Sequence, residues 1–203
     1  MLQTSKKGTA ISLLLLFIIM SLVTMYLIFD SKVYTVTNSA DYAVYDDIDS
    51  LSRSVDLVVI AETGKDKVNK VFGEGIDASG YTLRNIKILK VLINNTNDDF
   101  TNKDSIEISE PYYIVDRGVL PGKDKVLMEN YTELQDNSKY VMYLKWYKGS
   151  DSYAIHALAQ GKYNIDGSDI DEDKKIKNSH VELLKESVLK KYNSEISKYR
   201  DIK

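Results

Sequence analysis

Residues 9–29, TAISLLLLFIIMSLVTMYLIF, run for 21 positions without a charge. At about 1.5 Å per residue, a helix of that length spans roughly 30 Å, the hydrocarbon thickness of a bilayer. Lys6 and Lys7 precede the run, and Asp30 and Lys32 behind it cancel. The positive side of such a helix stays in the cytosol, so a single-pass plasma-membrane protein is expected, with its amino end cytoplasmic and residues 30–203 extracytoplasmic. A cleaved secretory signal has a shorter apolar core, about 7–15 residues, and a small-x-small site behind it. Here DSKVY follows directly, which indicates a retained signal anchor.

The part beyond the run holds all 30 acidic residues and 25 of the 27 basic ones, a net charge of −5. That balance argues against nucleic acid, which needs a cationic surface, and against a dedicated anionic-lipid surface. The chain has no cysteine, which removes disulfides, thiolate nucleophiles and cysteine-type zinc sites. A disulfide-free outer domain, with lysine far above arginine and much Asn, Ile and Tyr, fits a low-G+C Gram-positive bacterium. The sequons at Asn94 and Asn130 matter only in a eukaryotic secretory pathway.

Residues 1–8 read as a cytosolic tail, 30–45 as a polar tether and 46–165 as an extracytoplasmic β domain. A short helix is expected over 46–55, with Ile48, Leu51 and Val55 at helical spacing. DLVVIAE (56–62) reads as a buried strand, and 64–80, rich in Lys, Asp and Gly, as a hairpin loop. Residues 81–93 form the longest strand candidate. Its apolar set moves from Ile86 and Ile88 to Leu89, Val91 and Ile93, and that change of parity marks a bulge or bend. Residues 94–103 are turn-rich. SIEIS (105–109), 112–115, YVMYLKWY (140–147), 153–158 and 161–165 complete five to seven strands, with a further short apolar run at 126–128, predicting a mainly β fold: a small antiparallel barrel or sandwich. An acidic hinge (166–178) then leads to an amphipathic helix over 179–200. Ser179 and Glu182 match a capping box, and Val181, Leu184, Val188, Tyr192, Ile196 and Tyr199 form one apolar stripe.

The order SVDLVVIAE (54–62), ILKVL (88–92), LPG (120–122), YVMYL (140–144) and GKYNI (161–165) resembles uncharacterised membrane-tethered or secreted bacterial domains. The resemblance covers about 110 residues and implies a compact β-barrel-like fold of OB type. It brings no activity with it, and the carboxy-terminal helix lies outside it.

The absence of cysteine excludes sortase-like chemistry, and the S-M-x-P motif of signal-peptidase-like Ser–Lys enzymes is missing. Ser187-Val188-Leu189-Lys190 spells S-x-x-K without its S-D-N or K-T-G partners. His156 and His180 are the only histidines, too few for a zinc hydrolase. Asn164, Asp166, Asp169, Asp171, Glu172 and Asp173 offer oxygens suited to calcium, but they read first as a solvated hinge without EF-hand spacing. No catalytic residue, metal or cofactor is assigned. Fifteen tyrosines and Trp146 suit a partner-binding surface, and Tyr143, Tyr147 and Tyr153 are the candidate aromatic patch. The expectation is a non-catalytic binding module for a protein or envelope glycan. The alternative is an envelope hydrolase or transferase using a carboxylate pair.

Overall fold

The computed structural model describes residues 6–100 and 105–200. Part of the expected tail, part of the 94–103 connection and the last three residues lie outside them. The apolar run is α1 (Lys6–Asp30), a helix long and apolar enough to cross a membrane, with its large side chains exposed. The sheet-rich body that follows has nine strands among the described residues: β1 (Val33–Asn38), β2 (Leu57–Phe72), β3 (Ser79–Asn94), β4 (Ser105–Glu110), β5 (Tyr112–Asp116), β6 (Lys123–Met128), β7 (Lys139–Tyr147), β8 (Ser152–Ile155) and β9 (Lys162–Asn164). Helix α2 (Ile48–Arg53) precedes β2, and α3 (Ile170–Ile176), α4 (His180–Lys191) and α5 (Asn193–Arg200) end the chain.

The body is mixed, not the antiparallel barrel or sandwich expected. β2 pairs with β3, β3 with β4, β4 with β8, β8 with β7, and β7 again with β2. The β4–β8 link is parallel and only two residue pairs long, Ile108↔Tyr153 and Ser109↔Ala154, so the cycle is not a closed barrel. A second sheet, β1–β6–β5, contains a parallel β1–β6 pair. The supposed tether thus supplies a strand. VYTVTN lacks a strong apolar face, and what orders it is backbone pairing with β6, 90 residues away in sequence.

The expected loop over 64–80 is mostly strand. β2 continues to Phe72, and only residues 73–78 turn back into β3. Residues 65–70 are exposed, so this arm of the hairpin is polar on both faces and reads as a loop. The parity change in β3 is a bulge: Ile60 faces Lys90 while Ala61 faces Ile88, leaving Leu89 unpaired between them.

Two cores share the β2–β7 wall. Leu57, Val59 and Ala61 of β2 and Tyr140, Met142 and Leu144 of β7 face inward, with Ile86 and Ile108. Val58, Ile60, Val141 and Tyr143 face outward, beneath Leu51, Leu184, Val188, Tyr192 and Ile196. The carboxy-terminal stripe therefore packs on its own sheet. The single helix expected there is divided at Tyr192 into α4 and α5. Its capping box is not made: Glu182 Oε2 accepts the amide of Asn178, one residue before the N-cap, at 2.6 Å, and the Ser179 hydroxyl donates back to the Ile176 carbonyl. The acidic hinge is also ordered. Asp169 caps α3, its carboxylate accepting the Glu172 amide at 2.9 Å.

This packing predicts unequal costs along the last helices. Ile196→Ala, at a fully buried position, should lose about 2–5 kcal/mol. Leu183→Ala, at a position 60% exposed, should change stability by no more than about 0.5 kcal/mol. Urea unfolding of the detergent-solubilised chain measures both, and equal values would mean that the stripe does not cover the sheet.

Candidate functional site

Where the β4–β8 ladder is short, the outer surface opens into a groove of about 690 Å³. Phe72 and Tyr81 stand at one end, ring centroids 5.8 Å apart. Trp146 and Tyr147, where β7 runs out, stand at the other. Phe72, Trp146 and Tyr147 are 53%, 47% and 58% exposed. Each is nevertheless positioned. The Trp146 ring meets Tyr153 edge-on at 5.2 Å, and its backbone amide donates to Asp56 Oδ2 at 2.7 Å. The Tyr147 ring lies over Gly149, where a Cβ would fall 2.6 Å from it, so a larger residue there would displace the ring. Hydroxyls fill the gap in the ladder: Ser109 Oγ is 3.2 Å from Ser150 Oγ, and Ser152 Oγ donates to Ser150 Oγ at 2.8 Å.

The other wall is the chain after β8. Ala157 and Leu158 take positive φ in succession, 56° and 55°. Left-handed backbone is costly for residues with a Cβ, and such strain clusters at working sites. Residues 39–47, the rest of the supposed tether, are strapped alongside. The Tyr45 amide donates to Gln160 Oε1 at 2.9 Å, Gln160 Nε2 donates to the Ala43 carbonyl at 3.2 Å, and His180 Nε2 donates to the Tyr45 carbonyl at 2.7 Å. His156 Nε2 lies 2.8 Å from the Tyr45 hydroxyl. Burial, helped by the charge of Lys145, lowers the His156 pKa and favours the neutral ring.

Beneath the groove the inner core holds ionised side chains in two groups. Arg84 Nε donates to Glu110 Oε1 at 2.7 Å, and both side chains are fully buried. Tyr131 Oη and the Leu134 amide donate to Glu110 Oε2 at 2.8 and 2.9 Å. Glu133 joins this group, bound by Lys67 at 2.6 Å, by Lys125 and by the Tyr112 hydroxyl at 2.8 Å. In the second group, Lys162 lies 3.0 Å from Asp169 and 3.1 Å from Glu172, and Tyr140 Oη donates to Asp169 at 2.9 Å. The acidic stretch considered for calcium thus has a lysine ammonium between two of its carboxylates. Among the described residues, no group of three or more His, Cys, Asp or Glu side chains is placed to hold a metal ion.

The structure does not bring the three candidate tyrosines together. Tyr143 is fully buried in the outer core, edge-on to Tyr163, because the carboxy-terminal helices cover that face of β7. Tyr153 turns inward between Trp146 and Phe100. Tyr147 alone of the three is exposed in the groove. Sequence reasoning missed Phe72, hidden in a presumed loop, and left Trp146 out of the candidate patch, and the alternate β7 residues Tyr140, Met142 and Leu144 do all face inward. Trp146 does share that parity, but it lies past the end of the core. The two histidines flank the strap. Asp41 and Glu110 are the carboxylates along the groove, and both oxygens of Glu110 are engaged below it. The groove thus offers aromatic planes suited to stacking, beside the titratable side chains of Asp41, Lys145 and His156. No family model, curated protein or solved structure matches this chain.

Glu133 sets an acid limit on stability. Burial pushes the Glu133 carboxyl up, but hydrogen bonds from Lys125, Lys67 and Tyr112 outweigh it and hold the pKa at about 2. A depressed carboxylate stabilises the fold fully above its unfolded pKa, and that contribution disappears as pH falls through the folded value. The loss should therefore run from about pH 4.5 down to about 2 and reach roughly 3 kcal/mol at most. Glu133→Gln should be less stable at pH 7 and show a flatter acid limb. Denaturant midpoints across that range measure the difference, and parallel curves for the two proteins would refute it.

Proposed function

We propose that this protein is a membrane-anchored, extracytoplasmic binding module of a Gram-positive bacterial envelope, and that its groove takes a neutral glycan chain. The exposed aromatic side chains converging across the gap in the β4–β8 ladder carry the reading. Flat, exposed aromatic rings match a sugar, which presents C–H faces to them, and the polar groups along the groove can meet its OH groups. The net charge of −5 outside α1 disfavours a polyanion. Anchoring is supported by the length of α1 and by β1, which follows it at once and is hydrogen-bonded into the body. Cleavage within β1 or the strap would remove structure on which the fold depends. Lys6 and Lys7 support an inside amino end, and lysine-rich, cysteine-free composition supports the bacterial source.

An OB-type reading is supported by the cycle β2–β3–β4–β8–β7–β2. In that fold the outer face of the second and third strands, between the first and last hairpins, binds oligosaccharides or oligonucleotides. The groove here lies on the matching strands. The argument is one of analogy, and the aromatic lining of the groove supports sugar over nucleotide.

Trp146, the single tryptophan, reports directly on the groove. Titrating the detergent-solubilised full chain with chitotetraose and with solubilised peptidoglycan fragments should shift its emission saturably. Tyr147→Ala and Phe72→Ala should each weaken binding by about tenfold, or 1.4 kcal/mol. Tyr143→Phe, changed beneath the helices, should leave it unaltered. Constant emission with both probes would refute the glycan reading, and release of shorter fragments would favour a hydrolase.

A further inference from the structure

The turn between β5 and β6 reads Arg117-Gly118-Val119-Leu120-Pro121-Gly122. Val119 is 97% exposed and Leu120 55% exposed. Two adjacent bare aliphatic side chains at a hairpin tip invite a specific cause. Strand register indicates one. β1 leaves α1 and runs parallel to β6, with Val33 opposite Lys123. The tip therefore extends back past the start of β1, toward the end of α1. Contacts agree: the Gly122 amide donates to Asp30 Oδ1 at 3.2 Å, and the Lys123 amide donates to the Lys32 carbonyl at 2.9 Å. At Gly122, with φ of 96°, a Cβ would meet the Tyr34 ring at 2.8 Å and the Phe29 carbonyl at 3.2 Å. Backbone this close leaves no room for a side chain, so the hairpin is pressed against the helix exit.

Resting on the anchored reading above, we propose that Val119 and Leu120 enter the bilayer interface beside α1 and form a second membrane contact that holds the body against the lipid surface. The surroundings suit that depth. Arg117 stacks over Tyr34 at 4.4 Å and Lys32 over Phe29 at 4.3 Å, the aromatic and long basic side chains favoured at headgroup level. Charges balance there: Arg117 lies 3.1 Å from Asp124, Lys123 lies 3.7 Å from Asp116, and Asp30 stands near Lys32. The contact is thus hydrophobic insertion and holds on neutral lipid as well as on anionic lipid. A single spanning helix can tilt and rotate in the bilayer, carrying the body with it. With a second contact its orientation to the membrane is set, and with it the direction in which the groove faces.

The chain has no cysteine, so single labels are clean. Val119→Cys, Leu120→Cys, Ile18→Cys and Asn130→Cys, each carrying an environment-sensitive dye, are compared in full-length protein in phosphatidylcholine nanodiscs. Asn130 follows the far end of β6, roughly 20 Å from the tip by strand rise. Labels at 119 and 120 should emit to the blue of the one at 130 and be quenched by iodide about fivefold less, as interfacial insertion requires. Equal quenching at 119, 120 and 130, with the Ile18 label shielded, overturns the hairpin contact and leaves the anchor standing. An Ile18 label open to iodide overturns the anchored reading, and the contact with it.

Discussion

Residues 57–62 of β2 pair antiparallel with 139–144 of β7, and the remaining structure is arranged about that ladder. It joins the two ends of the strand cycle, which would otherwise be a curled sheet with two open edges. It is also covered on both sides, by the inner core on one face and by α2, α4 and α5 on the other. Burial on both faces explains why LVVIA and YVMYL are continuous apolar runs instead of alternating ones. It also gives the carboxy-terminal helices a specific place to dock.

The opposite side of the cycle is the weak one. β4 and β8 share two residue pairs, and three serine hydroxyls and the ring of Tyr147 take over where the ladder stops. Backbone that is not spent on pairing is free to shape a groove. The strained turn at Ala157 and Leu158 stays in place because the strap from residues 39–47 is bonded to Gln160, His156 and His180. Below, each carboxylate of the interior is met by Arg84, Lys67, Lys125 or Lys162. Ion pairs taken out of water are strongly destabilising when one partner is removed. These groups therefore specify the fold and are not available for chemistry in the groove above.

Helix α1 and the body are mechanically continuous. From Asp30 to Asn38 there is no slack: α1 ends, two residues follow, and β1 is already in a sheet. Gly122 closes the other side of that junction. A domain tied this way sits within one hairpin of the helix end, and the exposed pair Val119 and Leu120 lies at that level.

Local periodicity determined several features from the sequence alone. The length and uniform apolarity of residues 9–29 specify a helix long and apolar enough to cross a membrane, the parity change at Leu89 specifies a bulge, and the stripe Leu184, Val188, Tyr192, Ile196 specifies a helix face. Each depends on neighbours within a turn or two of the chain. Part of the site was visible in the same way, since Tyr147 stands out in a strong strand. Tertiary structure alone decided the rest. β1 and the distal half of β2 are polar segments ordered by backbone hydrogen bonds to distant strands. Tyr143 and Tyr147 share one face of β7, yet one is sealed beneath α4 and the other left bare, because the helices reach only so far along the strand. Phe72 and Trp146 meet at one groove although 74 positions separate them. Pairing and coverage between remote segments leave no periodic trace in a sequence, because the partner that satisfies each group is chosen in space.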